Sequence, residues 1–263
     1  MLSKPFPILI ICLLFLAIPL VLLGQFDNFW IMDESLINDS NGIESEITLK
    51  SLELRWSADT YVPFGYQGRA LPTKESWVIV EADLKISGEN PKNLKYSWFL
   101  DDVFQELKSG YGRDGFKFGV RRFNGASHTA LLKVFNESRS FLVEKSITIP
   151  IVNPDLVIYR KENAQINLPY TASAKIFDIV SNEESSFLAL PYFFNIKSLE
   201  DLEFNWILGD KSVKESSLIA NIFGLKITNK EVGGMLEENL KVITTNKIYT
   251  DQKVQKTIKI NIY

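Results

Sequence analysis

Asn93-Leu94-Lys95-Tyr96-Ser97-Trp98-Phe99-Leu100-Asp101-Asp102 is written again 108 residues later as Asp201-Leu202-Glu203-Phe204-Asn205-Trp206-Ile207-Leu208-Gly209-Asp210. Leu132-Lys133-Val134-Phe135 and Leu240-Lys241-Val242-Ile243 keep the same spacing. Two landmarks in one register describe a duplicated unit, which fixes the architecture before any single element is assigned. A third pair, starting at Lys145 and Lys256, is displaced by 111 residues, as a longer hairpin in the second copy would require.

Within each copy the apolar residues alternate. Leu94, Tyr96, Trp98 and Leu100 alternate with neighbours that are polar or expected to be less buried, which is the period of a half-buried strand. Residues 76–84, 116–120, 130–135 and 143–149 read the same way, and residues 87–92, Ser-Gly-Glu-Asn-Pro-Lys, carry turn chemistry that predicts a hairpin between the first two strands. The second copy repeats the pattern over residues 187–194, 202–208, 236–244 and 254–262. About seven short strands in roughly 100 residues predict an antiparallel sandwich. No helical periodicity stands out beyond the N-terminal run.

The aromatic-x-Trp strand running into an acidic or Gly-Asp turn resembles the immunoglobulin-like superfamily, and more narrowly the polycystic-kidney-disease (PKD) type of domain on bacterial surfaces. The fuller Gly-Asp-Gly turn of the PKD pattern is missing from both copies. From about residue 50 onward the chain also resembles membrane-anchored tandem Ig-like proteins of candidate-phylum bacteria, a resemblance that implies no activity. The expected fold class is therefore all-β, two tandem antiparallel Ig-like β-sandwiches preceded by one N-terminal transmembrane helix. Trp98 and Trp206 would be the central-strand tryptophans, packed between the sheets.

Residues 5–23 contain no charge. As a helix rising 1.5 Å per residue they would span about 28 Å, close to the roughly 30 Å hydrocarbon core of a bilayer. Lys4 precedes the run while Asp27, Asp33 and Glu34 follow it, which predicts a single-pass membrane protein with a cytoplasmic N-terminus and extracytoplasmic repeats. A cleaved signal peptide is the competing reading, although of Leu22 and Gly24 only the glycine is the small residue a cleavage site needs. The expected organisation is an anchor or signal segment over 1–24, an acidic linker over 25–50, a first domain over 51–152 and a second over 153–263. Phe26, Phe29 and Trp30 would sit at the headgroup layer. Val152-Asn153-Pro154 would make a stiff joint, because proline restricts both itself and its predecessor.

The 29 basic and 32 acidic residues leave a net charge of −3, which gives no field to attract a nucleic-acid backbone. The single cysteine, Cys12, lies in the apolar run, so no disulfide braces the repeats. His128 is the only histidine, which leaves zinc without ligands and a Ser or Cys nucleophile without an evident base. Gly110-Tyr-Gly112-Arg-Asp-Gly115 spells a phosphate-loop pattern, but a strand follows where a helix is needed. Asp101, Asp102, Asp114 and Asp210 read as turn carboxylates rather than a calcium loop. The sequence therefore predicts no catalytic residue, no cofactor and no metal site.

Trp56, Tyr61, Phe64, Tyr66 and Arg69 form the one dense aromatic segment, broken by Pro63, Gly65 and Gly68. Aromatics and arginine in a loop are the residue types of recognition hot spots, and they make this the candidate binding surface. The competing reading places the rings over the edge of the first sandwich or its seam with the second. The functional expectation is a non-enzymatic surface protein acting in adhesion or envelope scaffolding, with an envelope protein or polysaccharide as partner. A carbohydrate-binding module using residues 56–69 is the alternative, and a carboxylate-dependent hydrolase a third.

Overall fold

The structure is a computed structural model that describes residues 46–161, 175–213, 219–227 and 235–263. The expected anchor and most of the acidic linker lie outside the described residues. Among the described residues no helix is long and apolar enough to cross a membrane.

The first repeat is built from β1 (Thr48–Ala58), β2 (Trp77–Ser87), β3 (Lys95–Leu100), β4 (Val103–Phe104), β5 (Gly110–Tyr111), β6 (Gly115–Gly119), β7 (Ser127–Phe135) and β8 (Leu142–Pro150). One sheet has the order β1-β2-β6, and the other β4-β3-β7-β8 with β5 also on β3. Every pairing is antiparallel. The second repeat contains β9 (Asp155–Lys161), β10 (Ile176–Ile179), β11 (Glu184–Tyr192), β12 (Leu202–Leu208), β13 (Lys211–Val213), β14 (Ile222–Lys226), β15 (Leu236–Asn246) and β16 (Lys253–Ile262). Its sheets run β14-β11-β9 and β10-β16-β15-β12-β13, with β10 joining β16 in parallel. Among the described residues both repeats thus place three strands against a sheet centred on the tryptophan strand and its long antiparallel neighbour, the arrangement of an Ig-like sandwich.

Each core is the space between a repeat's two sheets. Leu52, Leu54, Val78, Val80 and Phe118 from one sheet meet Tyr96, Trp98, Leu132 and Ile149 from the other. Trp98 and Trp206 are both fully buried. Their indole N–H groups donate to Arg113 C=O at 2.8 Å and Ala220 C=O at 3.2 Å, and their rings lie 5.1 Å from Phe116 and 5.3 Å from Phe223. Duplication therefore preserves the tryptophan's polar partner as well as its ring partner.

Two expectations change. The turn at residues 87–92 does not close a hairpin, since β2 pairs with β1 and β6 while β3 pairs with β7 in the other sheet. Asn90 Oδ1 accepts from Lys92 N–H and Pro91 opens a short 3-10 turn, a geometry that reverses the chain while stepping it across the core. Turn chemistry alone does not distinguish the two outcomes. The first strand also begins at Thr48, inside the predicted linker, and carries Trp56, which the sequence reading put in a loop. Leu52, Leu54 and Trp56 alternate inward, so the tryptophan belongs to the core at 8% exposure.

The β3–β4 turn needs two left-handed residues, supplied by Asp101 (φ 51°) and Asp102 (φ 66°), whereas the second copy places Gly209 (φ 58°) at the equivalent of Asp101. Aspartate accepts this backbone better than most side chains. Asp101 is further held by Thr129 N–H at 2.9 Å, His128 Nδ1 at 2.6 Å and the Arg122 guanidinium at 3.1 Å. His128 itself is a core residue, edge-on to Phe118, and its buried Nε2 has no hydrogen-bond partner among the described residues. Burial acts to raise the Asp101 pKa, but the Thr129 amide, His128 and Arg122 outweigh it and leave the carboxyl below its ordinary value. A depressed folded-state pKa contributes stability above the unfolded carboxylate range, near 3.9, and that contribution is lost as pH falls through the lower folded value. Asp101→Asn is accordingly expected to lower stability at neutral pH and to flatten the acid limb below about pH 4. Urea titrations at several pH values read both effects.

Candidate recognition surface

β1 ends at Ala58, and the next residues are fixed one by one. Asp59 Oδ1 accepts from Trp77 N–H at 2.7 Å, and Thr60 Oγ1 donates to Leu71 C=O at 2.8 Å. Tyr61 then leaves the first sandwich altogether. Its N–H donates to Phe194 C=O at 2.8 Å, its C=O accepts from Phe193 N–H at 2.7 Å, and its side chain packs on the second core.

Pro63 C=O accepts from Tyr66 N–H at 3.1 Å, closing a turn whose third residue, Gly65, has φ 83°. A positive φ there is the requirement of a type II turn, and it thrusts Phe64 outward. Phe64 is 99% exposed. Tyr66 folds back, with its ring edge-to-face against Tyr192 at 5.5 Å and Phe193 at 6.0 Å. Burial raises the Tyr192 hydroxyl's pKa, helped by its hydrogen bond with Tyr159. Arg69 stacks over Trp56, its guanidinium 4.5 Å from the ring centroid.

The five predicted residues therefore separate. Trp56 is core, Arg69 covers it, and Tyr61 joins the two sandwiches. Phe64 and Tyr66 remain as surface, and the second repeat adds Tyr192 and Phe193, which sequence reasoning missed. A clue to their position was Pro191-Tyr-Phe-Phe194, an aromatic cluster at a strand end. Gly68 sets the Tyr66 pose, because a Cβ there would stand 2.4 Å from the tyrosine ring. Since the obstacle is the far end of a side chain, Gly68→Ala is expected to expel the ring from Tyr192 with little loss of stability. Loss of nuclear Overhauser contacts between Tyr66 and Tyr192, at an unchanged melting temperature, is the readout.

Around this turn the sandwiches share a buried polar joint. Gln252, 3% exposed, donates through Nε2 to Thr73 Oγ1 at 3.1 Å and Lys74 C=O at 3.0 Å. Its Oε1 accepts from Asn195 N–H at 2.9 Å and Asn246 Nδ2 at 3.0 Å. Both donors and both acceptor positions of the amide are used. Asn195 Nδ2 returns a bond to Glu75 C=O at 2.8 Å, and Lys74 pairs with Asp251 at 2.9 Å on the rim.

An open depression of about 500 Å³ lies over β2 and β6, lined by residues including Arg55, Glu81, Asp83 and Asp114. Arg55 already pairs with Glu53 and Asp83. Among the described residues no group of three His, Cys, Asp or Glu is placed to hold a metal ion.

No family model and no curated protein matches the chain. Among solved structures it is similar to the three N-terminal domains of the bacteriophage RB49 Highly Immunogenic Outer Capsid protein, at 12% identity and a TM-score of 0.43, over 82% of this chain and 59% of that one. A Bacteroides ovatus mixed-linkage glucan utilization locus protein, SGBP-B, solved with a mixed-linkage heptasaccharide, matches at 8% identity and a TM-score of 0.24, over 82% and 47%. Dpr2 Ig1-Ig2, solved in complex with DIP-Theta Ig1-Ig3, matches at 11% identity and 0.24, over 79% and 99%. The chain thus spans less than two thirds of the first two.

Proposed function

We propose that this chain is a non-enzymatic, membrane-anchored surface protein whose two Ig-like sandwiches act as one stiff unit in adhesion or envelope scaffolding. The anchor rests on the uncharged run at residues 5–23. The observation that carries the recognition part is Phe64, fully exposed on a turn whose neighbours, Tyr61 and Tyr66, are both tied to the second sandwich. A solvent-facing aromatic held rigid loses little entropy on binding, which is the economy of a hot-spot residue.

A protein partner suits this turn better than a polysaccharide. Tyr66, Tyr192 and Phe193 meet one another at interplanar angles of 61° to 72°, so they offer edges rather than one shared plane for sugar rings. The test is binding of the full chain in detergent micelles to arrayed envelope proteins and glycans, beside Phe64→Ser. Loss of a protein signal in the variant supports the reading, and loss of a glycan signal supports the carbohydrate alternative. An unchanged signal removes the turn from recognition.

A further inference from the structure

The outer face of the β4-β3-β7-β8 sheet differs between the repeats. In the first repeat, paired residues make two apolar rows across the strands. Phe104, Phe99 and Leu131 lie opposite one another in one row, and Tyr111, Phe135 and Leu142 occupy the other, with Lys95 between Tyr111 and Phe135. Phe104 is 48% exposed and Leu142 64%. Alternation turns Tyr96, Trp98, Leu132 and Val134 into the core, so these rows face away from it. The corresponding face of the second repeat presents Glu203, Asn205, Lys241, Gln255 and Thr257, with only Ile207 and Ile243 apolar among them. A duplicated fold needs no such difference, and contiguous exposed apolar rows mark an interaction surface.

The charges on this face identify its occupant. One end carries Lys95 and Arg139, set over the Phe135 ring at 5.9 Å and 5.5 Å and bonded to no carboxylate among the described residues, against a single exposed acid, Glu137, in the same turn. The other end carries Asp102, exposed in the β3–β4 turn. Between the two rows, Lys133 pairs with Glu144 at 3.3 Å. Seven residues of extended chain put Lys95 roughly 20 Å from Asp102, beyond the screening length of about 8 Å at physiological salt. Within one copy these charges are strangers.

We propose that this face binds a second copy of the same chain, sheet on sheet, about a two-fold axis near the Lys133–Glu144 pair. With its axis in the interface plane and running across the strands, the two-fold reverses the strand direction of one copy, so the Phe104 row of each meets the Phe135 row of the other. The same operation brings the end of each copy that holds Lys95 and Arg139 over the end of its partner that holds Asp102. Apolar rows and charged ends are then satisfied together, which fixes register. The dimer would display two Phe64 turns, raising avidity for a surface partner without a new contact. That last consequence rests on the reading of the Phe64 turn, whereas the dimer itself does not.

The test is sedimentation equilibrium of the full chain in density-matched detergent across the micromolar range, with folding checked by circular dichroism. A reversible dimer is expected. Phe104→Lys with Leu142→Lys, both at exposed positions, is expected to weaken it about ten-fold or more. Lys95→Gln and Asp102→Asn are each expected to weaken it several-fold, and the double variant no further than either, because both remove one contact. A chain that is monomeric throughout overturns the proposal. So does a dimer indifferent to Phe104→Lys with Leu142→Lys, which would place association elsewhere, or one in which the Lys95 and Asp102 effects simply add.

Discussion

Trp98→Ala is expected to destabilise the first sandwich by about 3–5 kcal/mol, a large part of the roughly 5–15 kcal/mol that holds an ordinary domain together. The side chain is fully buried against Phe116, and its removal leaves both a cavity and the Arg113 carbonyl without its indole donor. No disulfide is present to limit the unfolded chain. Trp206→Ala should act alike in the second sandwich, where the ring stacks on Phe223 and donates to Ala220. Trp77→Ala is the control. That residue is 48% exposed with Lys117 over its ring, and the change should cost far less. Urea unfolding followed by circular dichroism measures all three, and comparable losses for Trp77 and Trp98 would contradict the assignment of the core.

The second large effect belongs to Gln252. Gln252→Leu keeps the size of the side chain but strands the Asn195 backbone N–H, Thr73 Oγ1 and the Lys74 carbonyl, and removes one of the two bonds that Asn246 Nδ2 donates. Each buried group left unpaired costs about 1–3 kcal/mol, although water entering the opened joint would recover part of it. The expected result is a single unfolding transition in the parent chain that broadens or splits in the variant. Lys74→Ala, which breaks only exposed pairs with Asp251 and Glu75, should change little because rim ion pairs are weak. Differential scanning calorimetry distinguishes the two variants.

Much of this architecture was legible because local pattern and core coincide. The segment at residues 202–208 is β12 without adjustment, since Leu202, Phe204 and Trp206 face inward in strict alternation. The drift between the repeat landmarks pointed to a longer hairpin in the second copy, and β15 and β16 are indeed 11 and 10 residues long where β7 and β8 each have 9. What that hairpin does was not legible. Gln252 sits in a polar stretch, Tyr249-Thr-Asp-Gln252, that reads as a solvated turn, and its partners Thr73 and Lys74 lie at the far end of the chain.

The candidate surface was legible in composition but not in assignment. Trp56, Tyr61, Phe64 and Tyr66 are all aromatic, yet one is core, one is joint, one is solvent-facing and one rests on another domain. Only the partner of each ring decides which, and those partners are long-range. The apolar face of the first repeat escaped notice for a related reason. Phe99 and Phe135 look like core residues in a strand until alternation shows that Trp98 and Val134 already hold the inward positions.

The polar joint around Gln252, with every donor and acceptor of its amide used, should hold the two sandwiches as one rigid body. Pulsed electron resonance between spin labels at Lys85→Cys and Lys259→Cys, in a Cys12→Ser background, tests it most directly. Both lysines are exposed and lie on different sandwiches. With labelled chain diluted in unlabelled chain to remove distances between copies, one narrow distribution is expected in the parent, widening when Gln252→Leu is added. A distribution already broad in the parent, and unmoved by the Gln252 change, would contradict it.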